Sequence, residues 1–253
     1  MRAIELPAAS VRRAMDVWES DAWALDIRRR ANVDPDEVVR PSELARRLPG
    51  LAGVVQAKGL RLVKDGELQR GPEGWRIVVR AGIPLVRARF AVLHEIAEFA
   101  IGDAVDEHID HACNAVAASL AMPRRPFGRA LRAHGGDPHR LGEIFVVSSI
   151  AAALRIGEVT RIPVAVVTPR RVWTRGPEIA WPSGDELQRI ARAGRPGPVQ
   201  VARGHVRSTV LQALRAVPLE PRCVGFFVDD LDAIELLAGE KLARKSAKYI
   251  AFG

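Results

Sequence analysis

Residues 89–102, RFAVLHEIAEFAIG, constrain the fold more strongly than any other stretch of this 253-residue chain. Phe90, Leu93, Ala97 and Ile101 recur at intervals of three and four residues. This spacing predicts an amphipathic helix that buries one apolar stripe against a core. The polar residues between them then fall on the remaining faces of the helix.

Two of these polar residues, His94 and Glu98, are four residues apart, so their side chains project from one face of the predicted helix. Glu95 directly follows His94. In H-E-x-x-H metallopeptidases, two histidines at this spacing bind zinc, and the first Glu deprotonates a water molecule. A carboxylate such as that of Glu98 can also bind zinc. Taken alone, the pattern is more typical of a solvated helix face or of a salt-bridged Glu than of a metal site. A metal site would need a third ligand from another segment.

Residues 106–122, DEHIDHACNAVAASLAM, predict a second helix, which ends at Pro123. Its acidic start suits the positive end of the helix dipole. Asp110 and Asn114 share one face of this helix. His108 and His111 lie near its start, where they are ordinary surface residues or reserve ligands that replace the missing imidazole.

Together the two segments resemble the ImmA/IrrE family of metallo-endopeptidases, whose pattern is roughly R-F-x-x-x-H-E-x-x-H and then E-x-x-A/C-N-x-x-A-A-x-L-L-M-P. The match runs from Arg89-Phe90 to Met122-Pro123, with both halves in the family's order. By position, the resemblance implies metal ligands at His94, Glu98 and Asp110, a general base at Glu95, and a ligand-orienting residue at Asn114. The implied cofactor is zinc.

Two ligand positions depart from the family's pattern, because Glu98 replaces a His and Asp110 replaces a Glu. One imidazole and two carboxylates carry a charge of −2, which cancels that of a divalent zinc ion. A less electrophilic metal acidifies its water less and polarises a carbonyl less. Manganese or iron is therefore the alternative cofactor, because harder ions suit carboxylate ligands.

The sequence predicts an α+β protein in three parts. Residues 1–124 are expected to form a minimal zincin-like metallopeptidase domain, with short strands at 54–57, 60–63 and 75–79 separated by Lys-Gly, Asp-Gly and Gly-Pro turns. Residues 125–168 resemble a helix-turn-helix segment, as in IrrE relatives. Residues 169–253 predict a small α+β domain, which by position and length resembles the sensor-like GAF domain of IrrE-type proteins.

The formal net charge of +8, from 38 Lys and Arg against 30 Asp and Glu, favours nucleic acid or an acidic partner. The Arg-rich composition is also typical of a high-GC genome. Base readout requires Arg, Asn, Gln or Lys near the start of a recognition helix, whereas SSIAAALRIGEVTR begins with Ser, Ile and Ala. Direct DNA binding is therefore the less favoured interpretation, and docking of a protein partner the more favoured one.

No run of eighteen apolar residues and no signal peptide are found, which predicts a cytoplasmic protein without a membrane partner. Cys113 and Cys223 provide no disulfide framework, and Cys113 is expected to be a packed core thiol.

The leading hypothesis is a metal-dependent endopeptidase. The resemblance alone implies its substrate, a helix-turn-helix transcriptional repressor cleaved in a stress response or on induction of a mobile element. One alternative is a non-catalytic regulator, or pseudopeptidase, that has lost hydrolysis through Glu98 and binds a repressor or DNA. The other is a protein in which the metal is structural and closed off.

Overall fold

The computed structural model describes residues 17–58, 64–101, 109–160, 162–168, 171–176, 184–193, 197–198, 214–220 and 223–228. They fall into two compact units, one within 1–133 and 143–147 and the other within 134–142 and 148–253. The division into three domains at residues 124 and 168 stays a prediction. None of the helices in the described ranges is long and apolar enough to cross a membrane.

Helices dominate the first part of the chain, with a small sheet between them. The elements up to residue 134 are α1 (Val17–Arg30), α2 (Pro41–Arg47), β1 (Leu51–Ala57), β2 (Gly66–Gly71), β3 (Gly74–Arg80), α3 (Leu85–Ile101), α4 (Ile109–Ala121) and α5 (Arg124–His134). The predicted site helices are confirmed as α3 and as the described part of α4.

The sheet of the first unit has the strand order β1-β3-β2. β1 is parallel to the central strand β3, and β2 is antiparallel to it. β3 buries Ile77, Val78 and Val79, which makes it the most apolar of the three strands. β2 consequently lies at one edge of the sheet, where its outer backbone groups have no strand partner among the described residues.

The sequence analysis predicted β1 and β3 correctly but missed β2. The Asp-Gly and Gly-Pro pairs were interpreted as turns, whereas Gly66 and Gly71 are the end residues of β2. The strand predicted at 60–63 lies outside the described residues. The sequence of β2, GELQRG, has almost no apolar alternation. Its hydrogen bonding to β3 therefore determines the strand more than its own side chains do.

Apolar burial joins α3 and α4 to the rest of the first unit. The buried apolar residues of the two helices are Ala91, Val92, Leu93, Ile96 and Ala97 on α3, and Ala112, Cys113, Val116, Ala117 and Leu120 on α4. α1 packs on α4, and the hydroxyl groups of Ser20 and Ser119 lie 3.2 Å apart across that contact. The helices that carry the predicted site are thus part of the core.

A buried arginine on α1 joins the loop after α1 to the last turn of α4. Only 2% of Arg28 is exposed. Its Nη1 atom donates to the carbonyl oxygens of Asp34 and Glu37, at 3.1 and 2.8 Å, and its Nη2 atom donates to the carbonyl of Leu120 at 2.9 Å. One side chain thus supplies the hydrogen-bond donors for these three backbone carbonyl groups. Backbone acceptors that are shielded from water need such a donor.

Replacing Arg28 with Ala should lower the free energy of unfolding by about 2–4 kcal/mol, because three backbone acceptors, one of them buried, lose their donor and a cavity is left. The matched control is Arg29→Ala, which removes an exposed arginine from the next position of the same helix. Urea denaturation followed by circular dichroism measures both. Equal stabilities for the two variants would contradict the proposed role of Arg28.

The second part of the chain forms an antiparallel sheet covered by a helix. After α6 (Pro138–Phe145), its elements are α7 (Ser149–Thr160), β4 (Val164–Val167), β5 (Val172–Arg175), α8 (Gly184–Ala193), β6 (Gly197–Pro198), β7 (Leu214–Glu220) and β8 (Cys223–Val228). The strand order is β5-β4-β8-β7-β6, and every pair is antiparallel. All four residues of β4 are buried.

Side-chain caps begin α6 and α7, and α7 approaches β4 closely. The Asp137 carboxylate accepts from the His139 backbone at 2.9 Å, and the Ser148 hydroxyl accepts from the Ala151 backbone at 3.1 Å. A Cβ atom at Gly157 would lie 3.2 Å from that of Val164, so glycine permits the contact.

The predicted α+β fold class is confirmed. Strand β7 was not predicted. The resemblance of the C-terminal part to a GAF domain stays a prediction.

Candidate metal centre

The candidate centre lies between α3 and α4, and a hydrogen bond joins the two helices there. His94 Nδ1 and Asn114 Oδ1 are 3.0 Å apart. An amide oxygen can only accept, so Nδ1 carries a proton, and in the neutral imidazole Nε2 keeps its lone pair. A histidine that is held in this way through its other ring nitrogen is oriented for metal binding.

Two carboxylates face the free Nε2 atom of His94. Glu98 Oε2 lies 3.9 Å from it and Asp110 Oδ1 lies 3.6 Å from it. Two ligand atoms that share a tetrahedral ion at ordinary zinc bond lengths are about 3.4 Å apart. Each carboxylate oxygen therefore lies at a distance from Nε2 that a shared divalent cation could bridge. Asp110 lies outside the group of potential ligand atoms within 4.8 Å of one another, which contains His94, Glu95 and Glu98.

A third carboxylate, that of Glu95, belongs to the same group. His94, Glu95 and Glu98 each offer one potential ligand atom, and these atoms lie within 4.8 Å of one another. The exposed fraction of the side chain rises from 13% for His94 to 39% for Glu98 and 53% for Asp110. The site is therefore open to water on the side of Glu98 and Asp110.

Glu95 differs from the other carboxylates because only 3% of the residue is exposed. Burial, assisted by the negative charge of Glu98, raises the pKa of Glu95 from 4.5 to about 7. The positive charge of Lys64 and a hydrogen bond from the Leu68 backbone oppose this shift. A carboxylate with a pKa near neutrality can both accept and return a proton at physiological pH, as a general base requires.

The edge strand β2 covers Glu95, and glycine makes this possible. A Cβ atom at Gly66 would lie 3.2 Å from Glu95 Cγ and 3.3 Å from both Glu95 Oε1 and Ala91 Cβ. These distances are shorter than ordinary contacts, so any larger residue at position 66 would push against the carboxylate. Leu68, two residues along the same strand, supplies the backbone hydrogen bond to Glu95. β2 thus borders the site directly.

Lys64, two residues before the start of β2, brings a positive charge to the site. Its Nζ atom lies 3.2 Å from Asp110 Oδ1. The hydrogen bond with Asp110 raises the pKa of Lys64, burial opposes this shift, and the charges of Asp110, Glu98 and Glu95 add to it. The ammonium group of Lys64 therefore lies in the field of all three carboxylates.

The structure brings together five residues that the sequence singled out: His94, Glu95, Glu98, Asp110 and Asn114. Their roles as base, ligands and orienting residue stay predictions. His111 is exposed on α4 and is absent from the group of potential ligands found in the described residues. His108 lies outside the described residues. Cys113 is buried, as expected, and burial raises the pKa of its thiol to about 12.

Sequence reasoning missed Lys64, Gly66 and Leu68. The positions of all three residues depend on the pairing of β2 with β3. The polar sequence of this edge strand contains no local pattern that indicates a functional site. The Asp-Gly pair that follows Lys64 favoured a turn instead. The contact of Lys64 with Asp110 also spans 46 residues, so it follows only from the tertiary fold.

Comparison with known proteins finds a family match for part of the chain. Residues 57–157 match the model of the Peptidase_M78 family, described as the IrrE N-terminal-like domain. This range includes β2, α3 and α4, and so every residue of the candidate centre. The family match confirms the predicted resemblance and the zincin-type fold of this part of the chain. The IrrE N-terminal-like domain is a metallopeptidase-like domain of a metal-dependent family.

A solved structure agrees over most of the chain. A Mycobacterium tuberculosis transcriptional regulator is similar with a TM-score of 0.60 and 16% sequence identity. The similarity covers 87% of this chain and 91% of the regulator. At this level of identity, the likeness indicates a common fold. A search of the curated proteins found no match.

Proposed function

We propose that this protein is a metal-dependent endopeptidase. The observation that carries the proposal is that carboxylate oxygens of Glu98 and Asp110 lie 3.9 and 3.6 Å from His94 Nε2, next to the buried Glu95. His94, Glu98 and Asp110 would hold the ion. Zinc is the proposed ion, with manganese or iron as the alternative because two of the three ligands are carboxylates.

When bound, the ion would polarise a peptide carbonyl and lower the pKa of a water molecule. Glu95 would accept the proton of that water and deliver it to the nitrogen of the leaving amine. Asn114 would keep His94 in the required tautomer through the 3.0 Å hydrogen bond. Burial of Glu95 under β2 supports the role of base, because it raises the proton affinity of the carboxylate.

The edge strand supports an extended peptide as substrate. The outer backbone groups of β2 have no strand partner among the described residues, and such an edge can pair with an added strand. Because β2 also contacts Glu95 through Gly66 and Leu68, a peptide paired with it would lie beside the proposed base. Side-chain specificity would then depend on the groups that face the exposed side of the site.

We propose a helix-turn-helix transcriptional repressor as the substrate, cleaved in a stress response or on induction of a mobile element. The support is the match to an IrrE N-terminal-like domain. A repressor acts on DNA, so we also propose that the protein works in the cytoplasm. The three-part division at residues 124 and 168 belongs to the same proposal, with a helical segment and a sensor-like domain after the peptidase domain.

A second candidate function is that of a non-catalytic regulator that binds a repressor or DNA. Two observations favour it: Glu98 occupies the position of a histidine ligand, and Lys64 already pairs with Asp110. The similar mycobacterial protein is a transcriptional regulator by name. The net charge of +8 adds affinity for nucleic acid.

Replacing Glu95 with Gln should reduce cleavage by at least about 100-fold, because the amide cannot accept a proton. Metal content should stay unchanged, because Glu95 is not a proposed ligand. The assay incubates the metal-loaded protein with the helix-turn-helix repressor encoded nearest its own gene and follows fragments by mass spectrometry. Glu73→Gln, which changes an exposed carboxylate in the β2–β3 turn, is the matched control. Full cleavage by Glu95→Gln would exclude Glu95 as the base.

Replacing Glu98 with His should shift the metal preference towards zinc, because imidazole suits zinc and one negative charge is removed from the ligand set. Competition between Zn²⁺ and Mn²⁺ for chelator-stripped protein measures the shift. A natural protein that is inert, with a Glu98→His variant that cleaves the repressor, would support the regulator instead. An unchanged metal preference would show that Glu98 is not a ligand.

A further inference from the structure

One oxygen atom of the candidate centre has two competing uses. Asp110 Oδ1 lies 3.6 Å from His94 Nε2, where a shared metal ion would bind it. The same Oδ1 atom lies 3.2 Å from Lys64 Nζ. An ammonium group and a divalent cation that both contact that oxygen repel each other, and the repulsion is moderated by solvent because the Lys64 and Asp110 side chains are exposed.

The fold holds the backbone of Lys64 in position. The Arg80 guanidinium donates to the Lys64 carbonyl oxygen at 3.2 Å, and the Arg80 backbone N–H donates to the Asp65 carbonyl at 2.9 Å. The Asp65 carboxylate in turn accepts from Arg87 Nε at 2.9 Å. These contacts connect the residue pair 64–65 to the end of β3 and the first turn of α3. The Lys64 side chain therefore starts from a fixed point beside the site.

The charges of the site give this lysine a function. Relative to a ligand set with two histidines, Glu98 adds one negative charge. Lys64 adds one positive charge in contact with Asp110. The ammonium group of Lys64 is thus the counter-ion of an acidic cluster that includes Glu95. The carboxylates that attract this ammonium group are the same ones that would attract a metal ion.

We propose that Lys64 competes with the metal ion for Asp110 and thereby sets the metal affinity of this centre. This inference rests on the proposed metal site. A metal ion that binds His94, Glu98 and Asp110 is repelled by the ammonium group that lies 3.2 Å from Asp110 Oδ1. Lys64 then acts as an internal cation that weakens binding and restricts occupation of the centre to conditions of high metal availability.

Replacing Lys64 with Met removes the charge while keeping a long flexible side chain. The side chain of Lys64 is 60% exposed, so the variant should fold. In chelator-stripped protein, calorimetric titration with Mn²⁺ and with Zn²⁺ should show about tenfold tighter binding than in the wild type, as expected for loss of one competing charge in a solvent-accessible site. The difference should shrink at high salt, because salt screens exposed charges.

Two controls separate charge from other effects. Lys64→Arg keeps the positive charge and should bind metal as weakly as the wild type. Lys58→Met removes an exposed lysine at the end of the neighbouring strand and should leave the affinity unchanged. Circular dichroism confirms that all variants are folded before titration.

The possible results distinguish this inference from the proposed function. If the Lys64→Met variant binds metal and the wild type does not, the competition between Lys64 and the metal ion is supported most strongly. Equal or weaker binding by Lys64→Met than by a metal-binding wild type would overturn the competition and leave the metal site intact. Binding by no variant at all would overturn the metal site, and the competition with it. Tighter binding without any cleavage of a repressor would contradict only the peptidase activity.

Discussion

The packing of α3 against α4 is the constraint on which the candidate centre depends. Small buried residues on both helices, among them Ala97, Ala112 and Ala117, permit the two backbones to approach closely. His94 and Asn114 can then meet at 3.0 Å, and Asp110 comes within 3.6 Å of the imidazole. A larger residue between the helices would push them apart. This separation would break the hydrogen bond between His94 and Asn114 and would also move Asp110 away from His94.

The second constraint is electrostatic. Three carboxylates lie near one imidazole, and burial raises the pKa of Glu95 to about 7. Asp110, the more exposed of the two carboxylates that face His94 Nε2, pairs with Lys64. The protein supplies one cation itself, and the geometry of the His94 side fits another.

The helical part of the fold and most of the candidate centre could be predicted from the sequence. The spacing of apolar residues determined α3, and the position of His94, Glu95 and Glu98 on it followed from helical geometry. Asp110 and Asn114 followed in the same way from α4. What could not be predicted were β2 and the residues that depend on it. An edge strand with the sequence GELQRG carries no apolar alternation, so its structure comes from pairing with β3. The position of Lys64 beside Asp110 follows from that pairing and not from any local pattern.

The most direct test of the metal centre is anomalous diffraction from crystals loaded with Mn²⁺ or Zn²⁺, measured at the absorption edge of each metal. We predict one anomalous peak within bonding distance of His94 Nε2 and of a carboxylate oxygen from both Glu98 and Asp110. Lys64 should then have left Asp110 Oδ1. The absence of a peak at saturating metal, or a peak bound by His108 or His111 without Glu98 and Asp110, would contradict the assignment of the centre.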